Sequence, residues 1–205
     1  MSEAESFAAM RARMLENLLR QVPFEGWSET ALFAAAEAAG YPRELALEAF
    51  PGGVPDALEF AAAEADRTMI AALEAMPDFA AMRVRQRIAA AVRARLEPAA
   101  GHREAIRRAL STLALPHNLP LAAKTLWRTV DAIWYAAGDE AADFNYYTKR
   151  GLLAAVYSAT VLYWLDDRSP DSSETWSFLE RRLEEVLRVP RFLARVRERV
   201  AAALR

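Results

Sequence analysis

The sequence contains no cysteine, which excludes disulfides, thiolate metal sites and cysteine nucleophiles. It has only two histidines, His102 and His117, and neither stands in a spacing typical of a metal site or a catalytic triad. Glycine is scarce, with seven in 205 residues, and no glycine-rich loop precedes a helix that could bind phosphate. These absences predict a protein that is not an enzyme and that holds no metal and no cofactor.

Long β-branched runs are also missing, and the ten prolines mostly fall where helices would begin or end. The pattern predicts an all-α protein of about ten helices. Their expected ranges are 4–22, 28–40, 42–50, 55–76, 79–96, 103–114, 119–137, 144–165, 173–188 and 190–205. We expect Ser28 to cap the second of these helices.

One segment, residues 151–165 (GLLAAVYSATVLYWL), carries no charge. Its fifteen positions are too few to cross a bilayer, which requires about 20 apolar residues. A helix that is apolar on every side is normally surrounded by protein. The segment therefore indicates a plain core helix, a dimer seam, a wall of a ligand cavity, or a combination of these.

The first ten residues, MSEAESFAAM, have acids where targeting peptides have cations, and no apolar stretch follows them. This start predicts a protein of the bacterial cytoplasm.

Positive charge is nearly absent from residues 22–60, which hold one cation, Arg43, against seven acids. The same region resembles the helix-turn-helix module of TetR-type transcriptional repressors, through the AxxAG turn at Ala36–Gly40 and an aromatic helix end at Phe50. A helix that enters the major groove needs cations for the phosphates and donors for the base edges. We therefore predict a TetR-like fold that does not bind nucleic acid.

The last residues, 188–205, have the opposite balance, with six arginines against one glutamate. Apolar residues recur there at three- and four-residue steps, which predicts a helix that is basic on one side and apolar on the other. Such a helix either binds a membrane surface or packs on its own domain. The candidate membrane residues are Arg191, Phe192, Leu193, Arg195, Val196, Arg199 and Val200.

Three unusual segments lie between residues 125 and 187: TLWRTVDAIWYAAGD, DFNxYTKR, and SP followed by TWxFLxRR. Together with the acidic TetR-like module and the basic end, they resemble the accessory lipid-binding protein family of ubiquinone biosynthesis. The resemblance covers nearly the whole chain. It implies a TetR-like homodimer that catalyses no reaction and does not regulate transcription.

In that family the body encloses an isoprenoid lipid, the last helix meets the membrane, and a surface patch docks demethoxyubiquinone hydroxylase, a di-iron enzyme. The resemblance therefore implies a protein peripheral to the inner membrane, with a bound isoprenoid or phospholipid instead of a cofactor. It presents quinone intermediates to the hydroxylase. The implied segments are a three-helix module at 1–53, a lipid-binding and dimerisation body at 54–188, and a membrane-associating helix at 189–205.

Transferred position by position, the partner-docking motif falls on Asp143, Phe144, Asn145, Tyr146, Tyr147, Lys149 and Arg150. The family commonly has tryptophan where this chain has Tyr146. Candidate lipid-contacting residues, chosen by helix face and size, are Met69, Leu73, Met76, Trp127, Val130, Trp134, Val156, Tyr157 and Leu162. A ligand-responsive TetR-type repressor and a structural dimer without a ligand are the alternatives.

Overall fold

The computed structural model describes residues 6–138 and 144–186. Within these ranges the chain forms α-helices and short 3-10 turns and contains no strand. The helices are α1 Phe7–Glu25, α2 Glu29–Ala38, α3 Leu45–Ala49, α4 Val54–Glu74, α5 Val84–Leu96, α6 Arg103–Leu113, α7 Leu119–Ala136, α8 Phe144–Asp166 and α9, residues 173–186. The predicted all-α class is confirmed, while the predicted helix 190–205 lies outside the described residues.

Local sequence signals explain most helix ends. The side chain of Ser28 accepts a hydrogen bond from the backbone N–H of Ala31 at 3.1 Å, as its predicted capping role requires. Helix α1 was expected to end before Pro23, but it continues to Glu25 and ends at Gly26, whose φ is +69°. A proline so close to a helix end costs only one hydrogen bond, and glycine then adopts the left-handed backbone easily.

The predicted fifth helix is shorter than expected. Residues Phe79–Ala81 form a separate 3-10 turn, Met82 is extended, and α5 begins at Val84. The side chain of Gln86 accepts a hydrogen bond from the N–H of Arg83 at 3.0 Å, which caps the start of α5. Because this cap lies four residues after the apolar Phe79, the apolar pattern alone placed the start of the helix too early.

Chain contacts divide the protein into two compact units, and the first consists of Met1–Thr68 and Glu97–Thr129. Its core forms where α1, α2 and α3 pack around Leu18, Leu32 and Phe50. Helix α6 belongs to this unit, and the indole N–H of Trp27 donates to the carbonyl of Ala105 at 3.0 Å. The predicted module 1–53 therefore forms only part of this unit, and the functional division of the chain stays a prediction.

The second unit consists of Met69–Leu96 and Val130–Arg205. The described part of its core is built from the end of α4 and from α5, α7, α8 and α9, and it buries Met69, Ile88, Ile133, Trp164 and Leu183. Among the described residues, no helix has both the length and the apolarity that a bilayer crossing requires. Segment 151–165 lies within α8, as predicted.

Candidate functional site

Helix α7 carries the first of the three motifs, and its polar residues form two separate clasps. In the first unit, the buried carboxylate of Asp66 on α4 accepts hydrogen bonds from Thr129 Oγ1 at 2.8 Å and Arg128 Nε at 3.2 Å. Arg128 also donates to the carbonyl of Glu59 at 3.3 Å. This Asp66 clasp therefore fixes α7 to α4 within that unit.

The second clasp lies in the second unit and joins α7 to the start of α8. Asp131 Oδ1 accepts a hydrogen bond from Arg150 Nε at 2.6 Å and another from the hydroxyl of Tyr146 at 2.9 Å. The guanidinium of Arg150 also lies 3.4 Å from the centre of the Tyr146 ring. The hydrogen bond to Asp131, and burial after it, raise the pKa of Tyr146 above its ordinary value.

These clasps correct one expectation of side-chain pairing. Arg128 and Asp131 are three residues apart on α7, a spacing at which the two side chains of one helix can pair. Arg128 pairs with Asp66 instead, and Asp131 pairs with Arg150. Both observed partners are on other helices, where spacing along a single helix cannot reveal them.

The predicted partner-docking residues at the Asp131 clasp differ in how far they are exposed to solvent. Arg150 is only 3% exposed, and Tyr146 is half-buried, whereas Tyr147 is 67% exposed. The rings of Tyr146 and Tyr147 meet edge to face, with centroids 5.1 Å apart. Arg150 and Tyr146 thus support the position of Tyr147, which presents its ring to solvent.

The remaining docking candidates are described only in part. Asp143 lies outside the described residues, and so do the side chains of Phe144 and Asn145, which open α8. Lys149 is half-buried, its Nζ lies 5.6 Å from the Trp134 ring centre, and its carbonyl accepts the indole N–H of Trp134 at 3.2 Å. Sequence reasoning missed Tyr135, which is 79% exposed on α7, one helical turn after Asp131.

Most predicted lipid-contacting residues lie in the interior. Six of them are buried: Met69, Leu73, Val130, Trp134, Val156 and Tyr157. Met76 and Trp127 are half-buried, and Trp127 belongs to the first unit while the other eight belong to the second. Leu162 differs from the others because it is 59% exposed and is not part of the described core.

A small apolar pocket lies in the second unit. Its lining residues are Ile88, Trp134, Lys149, Leu152, Leu153, Leu183 and Val186. Its cavity volume of about 10 Å³ is room for about one water molecule. Of these residues, only Trp134 was a predicted lipid contact. The pocket forms where α5, α7, α8 and α9 pack together, and residue spacing along a single helix cannot predict which helices pack together.

The third motif forms the turn between α8 and α9. The buried carboxylate of Asp167 accepts hydrogen bonds from the N–H of Ser169 at 2.7 Å and from the N–H and hydroxyl of Thr175 at 2.9 and 2.5 Å. Burial alone raises the pKa of Asp167, but these hydrogen bonds outweigh burial and hold that pKa well below its usual range. Trp176 donates its indole N–H to the carbonyl of Asp171 at 2.8 Å, so this motif mainly builds the turn.

The TetR-like module shows how its few cations are used. Arg11 lies between two rings, 5.0 Å from the centre of Phe50 and 4.2 Å from that of Phe60, and pairs with Asp56 at 3.1 Å. Arg43 lies 4.1 Å from the centre of the Phe33 ring. The helix that would read DNA, α3, has five residues, and its neighbourhood exposes acids at positions 44 and 48.

No group of three or more histidine, aspartate or glutamate side chains in the part of the chain that the structure describes is arranged to hold a metal ion.

Comparisons with known proteins agree with the motifs. The COQ9 family model matches residues 119–190, which contain all of α7 and α8. Those residues are a COQ9 family region. The chain is also 32% identical to the ubiquinone biosynthesis protein COQ9, mitochondrial, of Drosophila melanogaster, over 91% of this chain and 58% of that protein. For the Homo sapiens protein of the same name the identity is 33%, over 89% of this chain and 59% of that protein.

These matches confirm the resemblance to the accessory protein family of ubiquinone biosynthesis that the sequence motifs indicated. The chain spans about three fifths of the length of these COQ9 relatives. A solved structure of a TetR transcriptional regulator from Nitrosomonas europaea has a TM-score of 0.71 and 20% identity, covering 87% of this chain and 98% of that one. This likeness confirms the TetR-like fold and concerns the fold alone.

The predicted location in the bacterial cytoplasm, at the inner membrane, is wrong. The COQ9 relatives from Drosophila melanogaster, Homo sapiens and Dictyostelium discoideum are all named as mitochondrial proteins, and all come from eukaryotes. The prediction rested on the first ten residues, and the start of a chain that spans part of its relatives says nothing about a leader. The predicted membrane residues, all within 191–200, lie outside the described residues.

Proposed function

We propose that this protein acts in ubiquinone biosynthesis as a non-enzymatic accessory protein. It binds isoprenoid quinone intermediates and presents them to demethoxyubiquinone hydroxylase at a membrane. The observation that carries the proposal is the COQ9 family region at residues 119–190, together with the similarity to COQ9 proteins that are named for ubiquinone biosynthesis.

The exposed ring of Tyr147 supports docking of the hydroxylase at the start of α8. Large amphipathic rings beside arginine are the composition of interface hot spots. The Asp131 clasp holds Tyr146 and Arg150 in place, so Tyr147 loses little conformational freedom when a partner covers it. This pre-organisation makes Tyr147 the leading contact of the proposed docking surface.

Docking is tested by measuring hydroxylase affinity for Tyr147→Ala by biolayer interferometry. Truncation of a hot-spot tyrosine costs about 2 kcal/mol or more, so we expect roughly thirty-fold weaker binding. Phe24, which is 81% exposed in the first unit, offers a matched control, and Phe24→Ala should leave the affinity unchanged. Equal effects of the two variants would remove Tyr147 from the docking surface.

The buried residues on α4, α7 and α8 support a lipid-binding interior in the second unit. The pocket beside Trp134 has a volume of only about 10 Å³, so a polyprenyl chain must displace side chains to enter there. Each buried CH₂ of the lipid contributes about 0.8 kcal/mol, which can offset the cost of that displacement. We propose entry beside Leu152 and Leu153, which line this pocket.

Lipid binding is tested by organic extraction and mass spectrometry of the purified protein. The wild type should yield an isoprenoid or phospholipid, and Leu152→Trp, which fills the pocket, should yield less. Leu47 is 44% exposed on α3, and Leu47→Trp should retain the wild-type amount. Extracts of the wild type without any lipid would support a structural dimer instead.

The proposed homodimer is supported by one face of α8. Gly151, Ala155 and Leu162 are exposed at helical spacing, and no charged residue lies between Arg150 and Asp166. Such a face is suited to a second copy of the chain. Light scattering during gel filtration should show a dimer for the wild type and a monomer for Leu162→Glu, while Leu47→Glu stays dimeric.

A TetR-type repressor is the alternative function, and the fold of the Nitrosomonas europaea regulator agrees with it. The acidic surface and the five-residue α3 argue against it, because DNA binding draws most of its affinity from phosphate contacts. Tight, salt-sensitive and sequence-specific binding in a filter assay would favour the repressor over the accessory protein.

A further inference from the structure

The connection between α6 and α7 exposes two leucines on a turn. Leu115 is 46% exposed and Leu119 is 53% exposed, and they flank the 3-10 turn Pro116–Asn118. The prolines at positions 116 and 120 are exposed as well. Single exposed leucines are common, but two leucines and two prolines within six residues form a largely apolar tip, with the exposed His117 between them.

The tip has a fixed shape. Asn118 is buried, donates its side-chain N–H to the carbonyl of Thr112 at 2.9 Å, and donates its backbone N–H to the carbonyl of Leu115 at 2.9 Å. The two prolines restrict the backbone further. The fixed turn therefore keeps the side chains of both leucines exposed to solvent.

The tip itself has no acidic, lysine or arginine residue, and the nearest cations flank it on both sides. From residue 109 to residue 123 the sequence contains no acid, lysine or arginine. Cations stand at both ends of this stretch: the side chains of Arg107 and Arg108 are 44% and 42% exposed, and that of Lys124 is 62% exposed.

Each of these exposed cations has an acidic partner that is also partly exposed. Glu104 lies 3.6 Å from Arg107 and 3.0 Å from Arg108, and Glu59 lies 2.6 Å from Lys124. Exposed ion pairs contribute little free energy, so the cations can exchange these acids for lipid phosphates.

We propose that this loop, residues 114–120, inserts into the interfacial region of a lipid bilayer. It is a membrane contact in addition to the one expected of the basic segment 189–205, and so goes beyond the proposed function, which names no membrane-contacting residue. An apolar tip between exposed cations matches a bilayer, whose headgroups carry phosphate above the acyl chains.

Composition favours a bilayer over a protein partner. Interface hot spots are enriched in tryptophan, tyrosine and arginine, and leucine is under-represented among them. The tip itself contains leucine, proline, alanine, histidine and asparagine. Burying two half-exposed leucines is expected to change vesicle partitioning by roughly ten- to thirty-fold, which suits a reversible contact.

Because the chain has no cysteine, Leu119→Cys provides a single attachment point for an environment-sensitive NBD dye. On vesicles of phosphatidylcholine and phosphatidylglycerol, the emission of the dye should rise and shift to the blue, and shallow spin-labelled lipid should quench it. Leu47→Cys is the matched control, since Leu47 is 44% exposed on α3, and its dye should keep the emission it has in water.

Vesicle sedimentation gives an independent readout. The double variant Leu115→Ser with Leu119→Ser should partition roughly ten- to thirty-fold less than the full wild-type chain, with unchanged circular dichroism and melting temperature. Deleting residues 189–205 tests the basic segment separately, so failure of one contact is distinguishable from failure of the other.

The proposal is overturned if the dye at position 119 keeps its aqueous emission on vesicle-bound protein. It is also overturned if the double serine variant partitions as the wild type does. A loss of hydroxylase binding without a loss of partitioning would make the loop a protein contact instead.

Discussion

Replacing Arg150 by alanine tests whether the Asp131 clasp is a structural element. The Arg150 side chain is 4% exposed and its Nε lies 2.6 Å from Asp131 Oδ1. Removing one partner of a buried ion pair costs about 3–5 kcal/mol. The Asp131 side chain is 43% exposed and can regain water, which reduces the expected loss in free energy of unfolding to about 2–3 kcal/mol.

Urea unfolding followed by circular dichroism measures this loss directly. In a protein of this size, 1 kcal/mol shifts the melting temperature by about 2–4 °C, so Arg150→Ala should lower it by roughly 4–12 °C. Arg182→Ala is the matched control: Arg182 also lies over an aromatic ring, Phe178, and pairs with Glu185 at 2.7 Å. Its side chain is 49% exposed, so its loss should stay below about 1 kcal/mol.

The result that refutes this reasoning is specific. If Arg150→Ala unfolds as the wild type does but binds the hydroxylase more weakly, Arg150 is a direct partner contact and the clasp contributes nothing to folding. If stability and affinity both fall, while Tyr147→Ala lowers affinity alone, the division into supporting and contacting residues holds.

Further changes test the other structural features. Asp167→Asn should destabilise the protein at neutral pH, and the difference from the wild type should shrink as the pH falls. Because the pKa of Asp167 is lower in the folded protein, its carboxylate stabilises the fold fully above the unfolded-state pKa of about 3.9. This stabilisation is lost as the pH falls towards the lower pKa of the folded state. Urea unfolding at several pH values measures the change. Gly138→Ala should cost about 1–2 kcal/mol by calorimetry, because φ is +83° there and a Cβ would lie 2.9 Å from Arg87 Nη1. Deleting residues 189–205 should weaken sedimentation with anionic vesicles while the remaining helices keep their circular dichroism signal.

Helix positions could be predicted from the sequence because the signals that set them are local. Helix α7 was expected at 119–137 and spans Leu119–Ala136, and α8 was expected at 144–165 and spans Phe144–Asp166. The largest exception is the late start of α5, where the side chain of Gln86 caps the helix.

The candidate site could be predicted less well, since its partners are distant in the chain. Asp66 and Arg128 are 62 residues apart, and Asp131 and Arg150 are 19 apart. Periodicity along one helix cannot report such pairs. Leu162 illustrates the same limit: in a helix that is apolar all round, the sequence does not indicate which face stays exposed.

Each compact unit is assembled from two separate stretches of chain. The chain passes from one unit to the other at 68–69, inside α4, and at 129–130, inside α7. When only the first 68 residues have left the ribosome, about two thirds of the first unit has been delivered. Helix α6, which supplies the carbonyl acceptor for the Trp27 indole N–H, is still missing. The first unit is complete only once residue 129 has emerged, when the second unit is already partly synthesised. The first unit should consequently mature before the second during translation. A gene cut at residue 53 should yield fragments that chaperones or proteases capture.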